Sequence, residues 1–229
     1  MKAGVSLVIM FLTVVSHFSG REPQENAPQV KFITPDAAKT YTWNEQVRYS
    51  FNVSDPQDGD SKYGEIASTE CSLTITYLPG NREADINQIK NQKDDPALVL
   101  MKRSNCFGCH AHKSKLAGPS FEEISKRYKN DAATIKSLSG KILNGSIGVW
   151  GDQQMPAHED LNEEQCRQIS AYIIKIGGDA HRWIFPGLEG TFRIMEKPSS
   201  DPNGTYVLTG GYTSKAGKNG TNSMVLRVR

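Results

Sequence analysis

Two short stretches near the start of the chain alternate strictly between apolar and polar residues. From Gln46 to Val53, the residues Val47, Tyr49, Phe51 and Val53 fall on one side. From Cys71 to Tyr77, the residues Cys71, Leu73, Ile75 and Tyr77 do the same. A period of two is that of a half-buried strand. Between them the run Ser54 to Asp60 (SDPQDGD) is dense in turn formers. Residues 28–80 are therefore read as a small β-sandwich, and the polar stretch Asn81 to Lys93 as a linker.

From about residue 94 the period changes to that of helices. Asp95-Pro96 is a start signal, since Asp accepts from free N–H groups and Pro suits the first turn. Leu98, Leu100 and Met101 then give the helix Pro96 to Arg103 its apolar surface. Further helices are expected over Ser120 to Tyr128 and Ala132 to Leu143. The last has the clearest ends. Asn162 and Gln165 make a capping box, Leu161 and Cys166 a hydrophobic staple, and Gly177-Gly178 a stop. Residues 181–229 return to strands at Thr205 to Thr209 and Met224 to Val228, with glycine-rich turns between them.

At the N-terminus, Lys2 precedes an apolar run from Val5 to Val15, and small or polar residues follow at Ser16, Ser19 and Gly20. Residues 1–20 read as a secretory signal, with an uncleaved anchor as the alternative. The run falls short of the roughly 20 apolar residues a membrane span needs. The organisation is thus α+β and multidomain: 1–20 signal, 28–80 sandwich, 94–178 all-helical domain, 181–229 C-terminal β module. The 229 residues hold 27 Lys and Arg against 25 Asp and Glu, and that balance argues against a nucleic-acid or anionic-membrane partner.

The chemistry sits between the first two helices, in Cys106-Phe107-Gly108-Cys109-His110. Cys-x-x-Cys-His is the attachment motif of a c-type haem. Both thiols can add to the haem vinyl groups, and the adjacent imidazole can bind the iron. Zinc and thioredoxin-like sites share Cys-x-x-Cys. However, no second ligand pair follows here, and the motif comes after a helix rather than a buried strand. The other cysteines, Cys71 and Cys166, lie on apolar faces of a strand and a helix and read as small buried hydrophobes, ahead of a disulfide between them. Asp55, Asp58 and Asp60 match no full calcium loop and read as turn residues.

A single His ligand leaves the opposite axial position of the iron to fill. Met155 is the first candidate. It lies 45 residues after His110, in a turn-rich loop where Pro156 keeps the backbone from continuing as helix. His158 is the second candidate. His112 follows His110 too closely to reach the other haem face.

Residues Asp95 to Ile176 resemble a short class I bacterial c-type cytochrome. The likeness is carried by Cys106 to Ala111, Gly118-Pro119, Lys141 to Gly145, Gly148 to Gly151 and Met155-Pro156, in order and with family-like spacing. It implies one covalent haem c, with thioethers at Cys106 and Cys109 and iron ligands His110 and Met155. It further implies that the Pro119 carbonyl accepts from the His110 imidazole and that Trp150 donates to a haem propionate. Lys141 stands where the family often has Arg, and His158 where it can have Asn. The 28–80 segment resembles a polycystic-kidney-disease-like sandwich through Val53 to Gly59. The tail resembles an end module of exported sugar-oxidising assemblies.

An iron bound from both sides has no open position, so the function these residues imply is outer-sphere electron transfer by an exported, periplasmic carrier. The expected partner is a redox protein, such as a periplasmic sugar or alcohol dehydrogenase. From Pro96 to Lys141 nine basic residues face three acids, and Lys113 and Lys115 are candidates to steer an acidic partner. The alternatives are a haem peroxidase or sensor with an open sixth position, or a β module that binds glycans or a partner.

Overall fold

The computed structural model describes residues 27–79, 83–90, 92–199 and 203–229. The signal segment 1–20 lies outside them. Strand β1 spans Gln29–Thr34, β2 Thr40–Tyr41, β3 Gln46–Asp55, β4 Gly59–Asp60 and β5 Cys71–Pro79. Five helices follow: α1 (Glu83–Lys90), α2 (Pro96–Arg103), α3 (Phe121–Arg127), α4 (Ala132–Asn144) and α5 (Glu163–Gly177). The chain ends in β6 (Arg182–Pro186), β7 (Glu189–Arg193), β8 (Gly204–Thr213) and β9 (Asn219–Val228).

The alternating stretches are strands, as their period requires. Val47, Tyr49, Phe51 and Val53 of β3 are buried, as are Cys71, Leu73, Ile75 and Tyr77 of β5. The expected division into two β modules needs correction, because residues 28–80 do not close a sandwich of their own. One sheet runs β2-β9-β8-β5-β6, so β5 lies between two strands of the tail. In the other sheet β3 pairs with β1, β4 and β7. The N-terminal strands expose an apolar face that they cannot cover alone. Tyr206, Leu208, Leu226 and Val228 of the tail complete the same core.

The helical segment is thus an insertion between β5 and β6, which are antiparallel neighbours with Thr76 opposite Arg182. The chain leaves and re-enters the sheet at adjacent points, which is what lets an insertion leave the host fold intact. The expected linker over Asn81 to Lys93 also needs correction. Its centre forms α1, which buries Ile86 and lies against β8. β8 is buried along nearly its whole length, on both faces. The sandwich core covers one face; α1 and the segment leading into α2 lie along the other.

The helix signals act as read. Asp95 accepts from the Ala97 N–H, and Asn162 and Gln165 form both bonds of their capping box. Gly177 does more than end α5. A methyl group there would lie 2.1 Å from the Phe121 carbonyl oxygen, so only glycine lets α5 meet the start of α3. Cys71 and Cys166 are free thiols in separate cores. The three aspartates serve the backbone. Asp55 accepts from the N–H groups of Gln57 and Asp58, Asp58 from Lys215 N–H and Tyr212 O–H, and Asp60 from Lys62 N–H.

Candidate functional site

The helices enclose an apolar crevice, and its lining brings together Cys106, Cys109, His110, Pro119, Lys141, Trp150, Met155 and His158. Residues as far apart as Cys106 and His158 meet there because α2, α3, α4 and α5 share one core. Ser104 ends α2, and Asn105 turns the chain through a left-handed conformation, φ 53°. A tight turn over Cys106–Gly108 follows, in which the N–H of His110 donates to the Cys106 carbonyl at 3.0 Å. Cys106 is thereby buried and Cys109 exposed.

His110 is held on three sides. Its Nδ1 donates to the Pro119 carbonyl oxygen at 2.7 Å, since that oxygen can only accept. This fixes the tautomer and leaves Nε2 with a free lone pair. The ring lies directly on Gly118, where a methyl group would come within 2.4 Å of Cε1. Phe121 stacks on it, with centroids 6.2 Å apart and planes at 18°. Burial lowers the pKa of the imidazole, against the Pro119 bond, which raises it; the nearby His158 adds a smaller downward effect. The neutral form is the one that binds a metal.

Met155 comes from the loop between α4 and α5. Its N–H and carbonyl pair with the carbonyl and N–H of Ser146 at 2.8 and 3.0 Å. Gly145, at φ +75°, lets this small ladder close, because a methyl group there would lie 2.8 Å from the Met155 carbonyl oxygen. The side chain packs on the helical core. His158 is anchored by its N–H to the Ile142 carbonyl at 3.1 Å.

Trp150 is held by residues the sequence did not single out. The Arg127 guanidinium stacks 4.6 Å from its ring centroid and donates to the Val149 carbonyl at 3.0 Å, and Tyr128 meets the ring edge-on. No local pattern announces these contacts. They arise only when α3 packs beside the Met155 loop.

Two further histidines and several of the basic residues lie away from the crevice. His112 is buried with Nδ1 turned to the Ile184 N–H at 3.4 Å, and His181 is exposed against Tyr77. Lys113 is exposed and also reaches the sandwich. Its ammonium lies 4.8 Å from the centre of the Trp183 ring of β6. Lys102 is buried against Asp94, and Arg103 donates to the Ser214 carbonyl. Three of the nine basic residues therefore fasten the helical insertion to the sandwich.

The donor set suits a covalently attached haem: two thiols on one turn, an imidazole with Nε2 free, and a thioether lining the same apolar space. The cytochrome c family pattern matches residues 98–176. The chain is 37% identical over 79 residues to cytochrome c-552 of Nitrosomonas europaea, covering 34% of this chain and 75% of that protein. It is 32% identical to cytochrome c-552 of Hydrogenobacter thermophilus, over 34% of this chain and 78% of that one. The chain belongs to the cytochrome c family. A crystal structure of the Nitrosomonas europaea cytochrome c552 aligns with 31% identity and a TM-score of 0.32, over 34% of this chain and 95% of the other. The cytochrome c domain carries covalent haem c and serves as a mono-haem electron carrier. Its class I helical part is set within an α+β whole.

Proposed function

We propose that this cytochrome is an exported carrier that takes electrons from a periplasmic dehydrogenase of sugars or alcohols and passes them on by outer-sphere transfer. The observation that carries the electron-transfer part is the convergence of His110 and Met155 on one apolar crevice beside both motif cysteines. Cys106 and Cys109 would form the thioethers, and His110 and Met155 would bind the iron. The Pro119 carbonyl orients His110, while Trp150 and Lys141 stand ready to meet the propionates. The haem supplies a one-electron couple between ferric and ferrous iron.

The protein's part is positional. Gly118, Pro119 and Phe121 hold the imidazole in one orientation, so it need not reorganise when the charge changes. The Ser146–Met155 ladder does the same for the thioether. The apolar walls exclude water and lower the cost of solvent rearrangement. With His110 and Met155 both bound to the iron, substrate would have no bond to make, which favours a carrier over a peroxidase or sensor. Export rests on the apolar N-terminal run and on the compartment in which haem is attached. Among the described residues no helix is long and apolar enough to cross a membrane. The dehydrogenase rests on the resemblance of the tail alone.

The ferric absorption spectrum of the matured protein tests the ligand set. A weak thioether-to-iron charge-transfer band at the red end is expected, and a high-spin spectrum would reject it. Reduction by candidate dehydrogenases, followed by the rise of the ferrous bands, tests the partner.

A further inference from the structure

His158 stands on another part of the crevice wall and, like His110, has an oxygen beside one ring nitrogen. A metal-binding imidazole generally turns one nitrogen to an oxygen partner, which fixes its tautomer and makes the other nitrogen a better donor. For His110 that partner is the Pro119 carbonyl at 2.7 Å. For His158 the neighbouring oxygen is that of Asp160, whose Oδ1 lies 3.7 Å from Nδ1, at ion-pair rather than hydrogen-bond distance. Asp160 is itself held in place: its Oδ2 accepts from the Ser104 hydroxyl at 2.5 Å. Ser104 is the residue that ends α2 just before the attachment turn. The Ser104–Asp160–His158 chain thus ties the Met155 loop to the segment that carries the cysteines.

Two further observations place His158 on the wall of that site. It lines the same crevice as Met155 and His110. Its side chain is only 16% exposed. The Ile142 carbonyl pins its backbone independently of Met155, so loss of the thioether need not carry His158 away.

We infer that His158 is a reserve axial donor, which binds the iron through Nε2 when Met155 leaves it. This rests on the reading of His110 and Met155 as the resting ligands. The exchange needs no oxidant: one Fe–S bond breaks, one Fe–N bond forms, and the iron keeps its charge. Imidazole is a stronger donor to ferric iron than thioether, so the oxidised form is where the exchange is expected to hold.

The test compares ferric spectra and potentials of three matured full-length proteins: wild type, Met155→Leu, and Met155→Leu with His158→Asn. Leu keeps the volume of Met, so the fold is preserved. Met155→Ala serves as a second variant should the Leu form mature poorly. The single variant is expected to lose the thioether band, stay low-spin and show a lower potential. The double variant is expected to turn high-spin and regain a low-spin spectrum when free imidazole is added. A high-spin single variant would overturn the inference while leaving the resting ligands intact. A double variant that stays low-spin would also overturn it, since another side chain such as Lys141 would then be the donor. A wild type without the thioether band would reject the underlying ligand set instead.

Discussion

The Lys102 ammonium lies 2.7 Å from the Asp94 carboxylate, and both side chains are buried where the cytochrome meets the sandwich. Asp94 lies so close under β8 that a methyl group on Gly211 would come within 2.7 Å of Oδ1. Removing one partner of such a pair leaves an uncompensated buried charge, at a cost of about 3–5 kcal/mol. Lys102→Met should therefore lower stability by about that much. Adding Asp94→Asn should recover most of the loss. Denaturant titration of the three proteins checks both, and equal stability of the single and double variants would show that the pair is uncoupled.

Ile184 belongs to β6, yet it packs in the helical core rather than in the sandwich. It is 1% exposed. Truncation of a buried Ile to Ala costs about 2–5 kcal/mol. Ile184→Ala should accordingly lower the melting temperature of the haem domain although it lies outside residues 98–176. In the wild type, Trp183 fluorescence and haem absorbance should change together on heating. Two separate transitions would show that the units unfold independently.

His112 gives the seam a pH dependence. Burial pushes its pKa down to about 4, with Lys113 adding to the effect and Asp179 opposing it. The imidazole has an ordinary value near 6.5 in the unfolded chain. Between those values the unfolded state binds a proton that the folded state does not. The stability present above about pH 6.5 is thus lost as pH falls toward 4, by on the order of 3 kcal/mol. Denaturation at pH 7 and pH 4.5 should show the decline, and His112→Gln should flatten it. An equal decline in the variant would assign it to other groups.

Gly118 has no room for a side chain beneath His110. Gly118→Ala should push the imidazole off its axis and strain the Pro119 hydrogen bond, at a cost of about 1–3 kcal/mol. The measurement is the ferric spectrum of the variant. A shift toward high spin is expected, and an unchanged spectrum would mean that the ring tolerates displacement.

Local chemistry was legible where neighbours in sequence are neighbours in space. The Cys106 to His110 motif, the Asp95 and Asn162 caps and the alternation of β3 and β5 each act over a few residues. A short-range pattern records such constraints fully. The pairing of His110 with Pro119 came from the family resemblance rather than from a local pattern.

The linear order alone determined β3, β5 and helices α2 to α5, the haem motif and the two leading ligand candidates, because periodicity, capping and attachment are local physics. Only the tertiary structure decided that the two flanks form a single sandwich, that Lys102 and Lys113 fasten the insertion, and that Asp160 turns toward His158. The reason is the same in each case. An apolar face, a buried charge or an imidazole specifies that it needs a partner, but not which residue 100 positions away will provide it.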